Sequence, residues 1–208
     1  MPIELKNAPA HFQSVMDKLF NCVDFEFRKN VINMQDDILI ATSTVEEHML
    51  VLKAVFEKLK SVNMKLKVSK CEFFRNKVGF MGHEVSEQGV SMSVEKCAAV
   101  QNWPEPTTVK ELQRFLGFIN FYRRFLPHVA LRTRFLYGAI HGTDLVWDEN
   151  AAQQFVDIKR LFLSSVVLAF PDYSQDFFVT CDAQPGGIGA VLWQYDIEKN
   201  QSPIAFIA

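Results

Sequence analysis

Two adjacent carboxylates, Asp36 and Asp37, sit between the apolar runs Val31-Ile32 and Ile38-Leu39-Ile40. Apolar runs on both sides of a short polar break read as a β-hairpin with the acids at its tip. Like charges this close repel, and one carboxyl is driven towards its protonated form. A divalent cation removes the conflict, and magnesium takes carboxylate oxygens by preference. Two such ions together can activate a hydroxyl and stabilise a pyrophosphate leaving group. Asp-Asp is also a common composition of a solvated turn, so spacing alone leaves both readings standing.

The charge distribution adds a second clue. The net charge is only −2, which argues against a polycation. Yet Lys53, Lys58, Lys60, Lys65, Lys67, Lys70, Arg75 and Lys77 fall in one stretch against Glu57 and Glu72. Lys110, Arg114, Arg123, Arg124, Arg132 and Arg134 fall in another against Glu111 alone. Segregated basic surface attracts a phosphate backbone even when the total charge is near zero. A solvated helix face explains the same pattern equally well.

Composition is that of a soluble globular chain: 208 residues, 49% hydrophobic and 22% charged, with 19 Phe. Cys22, Cys71, Cys97 and Cys181 lack metal-ligand or redox spacing. They read as reduced, mostly buried thiols of an intracellular protein, cytoplasmic or nuclear. There is no membrane-spanning run and no secretory signal. The abrupt start at Met1-Pro2-Ile3 and the closing apolar run Pro203–Ala208 suggest a piece of something longer.

Several elements must position these residues. Phe12, Val15, Met16 and Leu19 predict a helix over 8–20. Val23 to Ile40 reads as strand with the acidic break. Ser43-Thr44-Val45-Glu46 has the form of a capping box, opening a helix to about Asn63 with Met49, Leu52, Val55, Phe56 and Leu59 on its inner face. Lys65 to Val85 reads as strand broken at Gly79 and Gly82. Ser93 starts a short helix through Trp103, and Thr108-Val109-Lys110-Glu111 starts another carrying Leu112, Phe115, Leu116, Ile119 and Tyr122 up to Pro127. Gly138 and Gly142 mark a linker, with a boundary near 127–147. Asp148 caps a helix with Phe155, Ile158, Leu161 and Phe162. Strands Phe177–Cys181 and Ile188–Trp193 follow, around Gly186-Gly187. Trp103 and Trp147 read as packing residues, and His83 as a structural histidine beside Gly82. Without a repeating βαβ pattern the class is α+β.

Motifs in order sharpen this. Asp36-Asp37-Ile38-Leu39-Ile40 resembles the catalytic hairpin of reverse transcriptases, Tyr-x-Asp-Asp followed by an apolar strand. Met1-Pro2-Ile3-Glu4-Leu5-Lys6-Asn7-Ala8-Pro9 resembles the motif before it in gypsy-type long-terminal-repeat retrotransposons. Lys70-Cys71-Glu72-Phe73-Phe74 and Phe80-Met81-Gly82-His83-Glu84-Val85-Ser86 resemble later segments, the second lying at the primer grip. Asn102-Trp103-Pro104, Glu111–Gly117 and Asn120–Phe125 resemble the thumb side. Cys181-Asp182-Ala183 with Gly187–Leu192 resembles the first strand and turn of a retroelement RNase H, and Val166–Asp172 its lead-in. The likeness runs over essentially the whole chain.

The resemblance implies a reverse-transcriptase palm remnant over residues 1–90, thumb or connection helices over 91–140, and the beginning of an RNase H-like α/β domain over 141–208. It implies Asp36, Asp37 and Asp182 as metal-site carboxylates for Mg2+, and deoxynucleotides, an RNA or DNA template–primer and an RNA–DNA hybrid as partners. Lys65, Lys67 and Lys70 would meet phosphate, Met81 and Gly82 the primer end, and Arg123 and Arg124 the template–primer backbone. The pattern also breaks. Glu4 stands for the family's Gly, Met34 for its Tyr, and Gln184 for a usual Ser. The first palm motif, the fingers and the remaining nuclease carboxylates are not in the 208 residues. The expectation is a chain without catalysis of its own. A non-catalytic nucleic-acid-binding or decayed fragment is the rival reading.

Overall fold

Pro9 at the start of a helix gives up a backbone donor that the first turn cannot use, and helix α1 (Ala8–Phe20) begins there. The computed structural model describes residues 6–21, 26–164, 166–184 and 187–207. The first motif at Met1–Leu5 with Glu4, and Cys22, Val23, Pro185 and Gly186, lie outside those residues. The chain divides into two compact units, 1–75 and 76–208, each described by itself.

In the first unit, strands β1 (Val31–Met34) and β2 (Asp37–Ile40) form an antiparallel hairpin. Helix α2 (Val45–Ser61) follows. Its cap lies one residue later than the sequence predicts: Thr44, not Ser43, accepts the Glu47 N–H, and the Glu47 carboxylate accepts from Ser43 N–H at 3.0 Å. Met16, Phe20, Val31, Val51, Val55 and Leu59 form the core. Each such buried side chain contributes about 1.5–3 kcal/mol of transfer free energy. Val51 therefore takes the place expected of Met49 and Phe56, which are exposed.

Residues 65–76 make no strand, only a single 3-10 turn at Val68–Lys70. The second unit opens with a meander of β3 (Lys77–Phe80), β4 (His83–Ser86) and β5 (Gly89–Met92). Gly79 lies inside β3 rather than breaking it. Gly89 is required where it stands: at φ +134°, a Cβ would come within 2.1 Å of the Leu168 carbonyl oxygen. That approach lets Val90 and Leu168 exchange two backbone hydrogen bonds of 2.8 Å.

Helices α3 (Val94–Gln101) and α4 (Val109–Phe121) start where their caps predict, with Ser93 accepting from Lys96 N–H and Thr108 from Glu111 N–H. The expected linker is structured. Helix α5 (Val129–Gly138) ends at Gly138, and a small hairpin of β6 (Ile140–His141) and β7 (Asp144–Leu145) turns at Gly142. Residues 127–147 thus lie within one compact unit. Asp148 caps α6 (Glu149–Leu163) through Ala151 N–H at 2.8 Å. Leu112, Phe115, Ile119, Phe125, Leu136, Ile158 and Phe162 are buried in a single core. Trp103 packs on Phe115 and Phe118, and Trp147 on Phe155.

The chain then forms an antiparallel sheet of β8 (Phe178–Gln184), β9 (Gly187–Tyr195) and β10 (Gln201–Ile207), ordered β10-β9-β8. Cys71 and Cys97 are half-buried and Cys181 is exposed, so the expectation of mostly buried thiols does not hold among the described cysteines. Among the described residues no helix is long and apolar enough to cross a membrane.

Candidate functional site

Met34 pairs with Asp37, so Gln35 and Asp36 alone form the loop of the first hairpin. Gln35 adopts φ 52°, the positive value that two-residue hairpin loops demand. Asp36 and Asp37 are both exposed at the tip. Helix α1 holds the hairpin from one side. Gln13 Oε1 accepts the Gln35 N–H, and its Nε2 donates to the Asn33 carbonyl (3.3 Å) and to Asp17 Oδ1 (2.9 Å). Asn33 Nδ2 donates to the same Asp17 oxygen at 3.1 Å. Composition gave no signal for Gln13, Asp17 or Asn33, because each lies well away in sequence from what it braces.

Among the described residues no three His, Cys, Asp or Glu side chains gather into a metal-holding cluster. Two carboxylates at a solvated tip fit as partial ligands of a hard cation. By themselves they do not complete a two-ion site.

Asp182 lies on β8, paired with Gly189. It belongs to the other compact unit and to a strand exposed along its whole length. Gln184 Nε2 donates to Asp182 Oδ2 at 2.8 Å, so the residue that replaces the usual Ser occupies one carboxylate oxygen. Lys65, Lys67 and Lys70 are exposed around the 3-10 turn after α2.

The second hairpin presents Met81 and Gly82. Phe80 pairs with His83, leaving these two residues as the loop, at φ 52° and 79°. Arg123 and Arg124 are exposed on the turn that follows α4. The buried Tyr122 beside them donates its hydroxyl to the Gly82 carbonyl at 3.4 Å. The structure thus brings Met81 and Gly82 together with the basic pair through Tyr122 and His83, which the sequence marked only as a structural histidine. Burial lowers the His83 pKa, with Arg124 adding to the effect, and burial raises that of Tyr122.

Solved structures share this architecture. The foamy viral protease–reverse transcriptase in complex with double-stranded DNA superimposes with a TM-score of 0.83 at 26% identity, over 100% of this chain and 42% of that one. The same viral protein with an RNA/DNA hybrid gives 0.78 at 26% identity, over 99% and 27%. The fold class is therefore that of a reverse transcriptase with an RNase H-like region.

Sequence comparison agrees. Residues 1–85 match the family "Reverse transcriptase (RNA-dependent DNA polymerase)", and residues 147–208 match "RNase H-like domain found in reverse transcriptase". The chain is 34% identical to the retrovirus-related Pol polyprotein from transposon opus of Drosophila melanogaster, over 100% of this chain and 22% of that one. It is 31% identical to the transposon Tf2-3 polyprotein of Schizosaccharomyces pombe, over 99% and 15%. The chain belongs to the reverse transcriptase–RNase H region of retrotransposon Pol polyproteins. It spans about a fifth of the length of the relatives it matches.

Proposed function

We propose that this chain supplies part of the template–primer surface of an RNA-directed DNA polymerase, with deoxynucleotides as substrates. In this reading residues 1–90 are palm, residues 91–140 thumb or connection, and residues 141–208 the start of an RNase H-like domain that meets an RNA–DNA hybrid. Asp36 and Asp37 supply two carboxylate ligands to Mg2+, and Asp182 supplies one on the nuclease side. Magnesium, when bound, would neutralise charge at the reacting phosphates. Met81, Gly82, Arg123 and Arg124 hold the primer-strand backbone, and Lys65, Lys67 and Lys70 meet phosphate. The enzyme works inside the cell, in cytoplasm or nucleus.

The observation that carries the reading is the two-residue hairpin with both carboxylates exposed at its tip, within a segment that matches the reverse transcriptase family. The foamy viral protein is described bound to duplex DNA and to a hybrid, which supports nucleic acid as the partner. The exposed Lys65, Lys67, Lys70, Arg123 and Arg124 support a second role for the chain by itself: binding without nucleotidyl transfer.

Titration of magnesium into the chain with a template–primer present, wild type against Asp36→Asn/Asp37→Asn, tests this by calorimetry. The expected result is a binding heat that the double variant loses, with no primer extension by either protein. Equal heats would overturn the metal-ligand role and leave the binding role alone.

A further inference from the structure

The Met81–Gly82 tip is held by an aromatic cage. The His83 ring stacks on Phe121 with an interplanar angle of 6° at 5.9 Å, meets Tyr122 edge-on at 5.5 Å, and tilts against Phe125 at 5.3 Å. All three separations fall in the range where aromatic pairs attract. The Gly82 carbonyl accepts from Tyr122 O–H and from Ser93 N–H, both at 3.4 Å. A Cβ on Gly82 would stand 2.8 Å from the Tyr122 hydroxyl oxygen, so the phenol lies directly over the tip. The Arg124 guanidinium sits 5.5 Å from the Phe125 ring centre, on the same ring that tilts against His83.

His83 Nδ1 is buried without a hydrogen-bond partner among the described residues. A histidine kept for its polarity would satisfy that atom, since a buried donor or acceptor left unmet is costly. Here the imidazole serves as a flat, uncharged body between rings. Burial and the nearby Arg124 cation both favour that neutral form.

We infer that His83 is a positioning residue, a wedge in the Phe121–Tyr122–Phe125 cage that locks the Met81–Gly82 tip to the Arg123–Arg124 turn. Tip and basic pair then meet a nucleic-acid backbone as one rigid surface. That last clause rests on the proposed function, whereas the lock itself does not.

Amide hydrogen exchange and duplex binding on the full chain separate the two. In His83→Ala, exchange at the Ser93 amide, which donates to the Gly82 carbonyl, should rise by about tenfold or more as the tip opens locally. The dependence of template–primer affinity on salt should flatten by up to about two phosphate contacts, the share of Arg123 and Arg124. His83→Phe keeps the stack and should retain wild-type exchange and salt slope. Should the alanine variant unfold, Tyr122→Phe removes only the hydroxyl over Gly82 and should also speed exchange at Ser93. Unchanged exchange in His83→Ala, or in Tyr122→Phe where the alanine variant unfolds, overturns the lock. A His83→Phe protein that loses binding as His83→Ala does also overturns it, because the polar nitrogens would then be the working part. If the wild-type chain fails to bind duplex, the nucleic-acid reading falls and the exchange data still decide the lock.

Discussion

The two tight hairpins differ in what holds their tips. Both close with two residues, and both force a positive φ on the first of them, Gln35 and Met81. Among the described residues the acidic tip is braced by the Gln13 side-chain amide of α1, and its two carboxylates stand in solvent. The Met81–Gly82 tip carries no charge and is wedged by four rings and two bonds to one carbonyl. The contrast matches the roles proposed above, since an open acidic tip suits a cation and a packed tip suits holding a strand.

The contrast can be broken most strongly at Phe125, which is fully buried. Phe125→Ala should lower stability by about 3–5 kcal/mol through the cavity it leaves, read from denaturant unfolding. Gly82→Ala comes next. Its positive φ and the overlap with the Tyr122 hydroxyl should cost about 1–3 kcal/mol, and exchange at the Ser93 amide should rise with it. Gln13→Ala should cost only about 1 kcal/mol, because the acidic tip loses bonds but no packing. A larger loss at Gln13 than at Gly82 would invert the comparison.

The smallest effect is one of pH. His83 has a folded pKa below its usual 6.5, so the unfolded chain takes up the proton first as pH falls. The stabilising contribution is whole above about pH 6.5 and is lost as pH drops through the lowered folded value. Arg124 is the cation that faces the ring, and Tyr122, whose pKa is raised, stays a neutral donor. Melting temperatures of wild type and His83→Phe should converge near neutrality and diverge below it, with the Phe protein the more stable in acid.

Local signals were legible in the sequence. Ser93, Thr108 and Asp148 each cap a helix, and the acidic break is a hairpin. Ser43 and Thr44 each have a Glu three residues on, so the local pattern offered two caps, and the fold uses Thr44. Helix α5 was hidden because Gly138 and Gly142 read as punctuation and its inner face mixes Val129, Thr133 and Leu136, while Phe135 and Tyr137 are exposed. Of the candidate site, the paired acids and the basic turns were visible. The Gln13–Asp17–Asn33 bonds and the His83 cage join residues with no shared local pattern, so only the fold reveals them.

The close approach at Gly89 bears on how the chain could be divided. Val90 at the open edge of the meander is sealed by Leu168, and α6 packs in the same core as α4. A protease cutting near residue 145, ahead of the RNase H-like match, would release no independent RNase H-like half. The nicked pieces would stay associated, and separating them would uncover a bare strand edge prone to self-pairing. During synthesis the meander edge stays uncovered until residue 168 has left the ribosome, which makes the late segment a gatekeeper for the solubility of the early one.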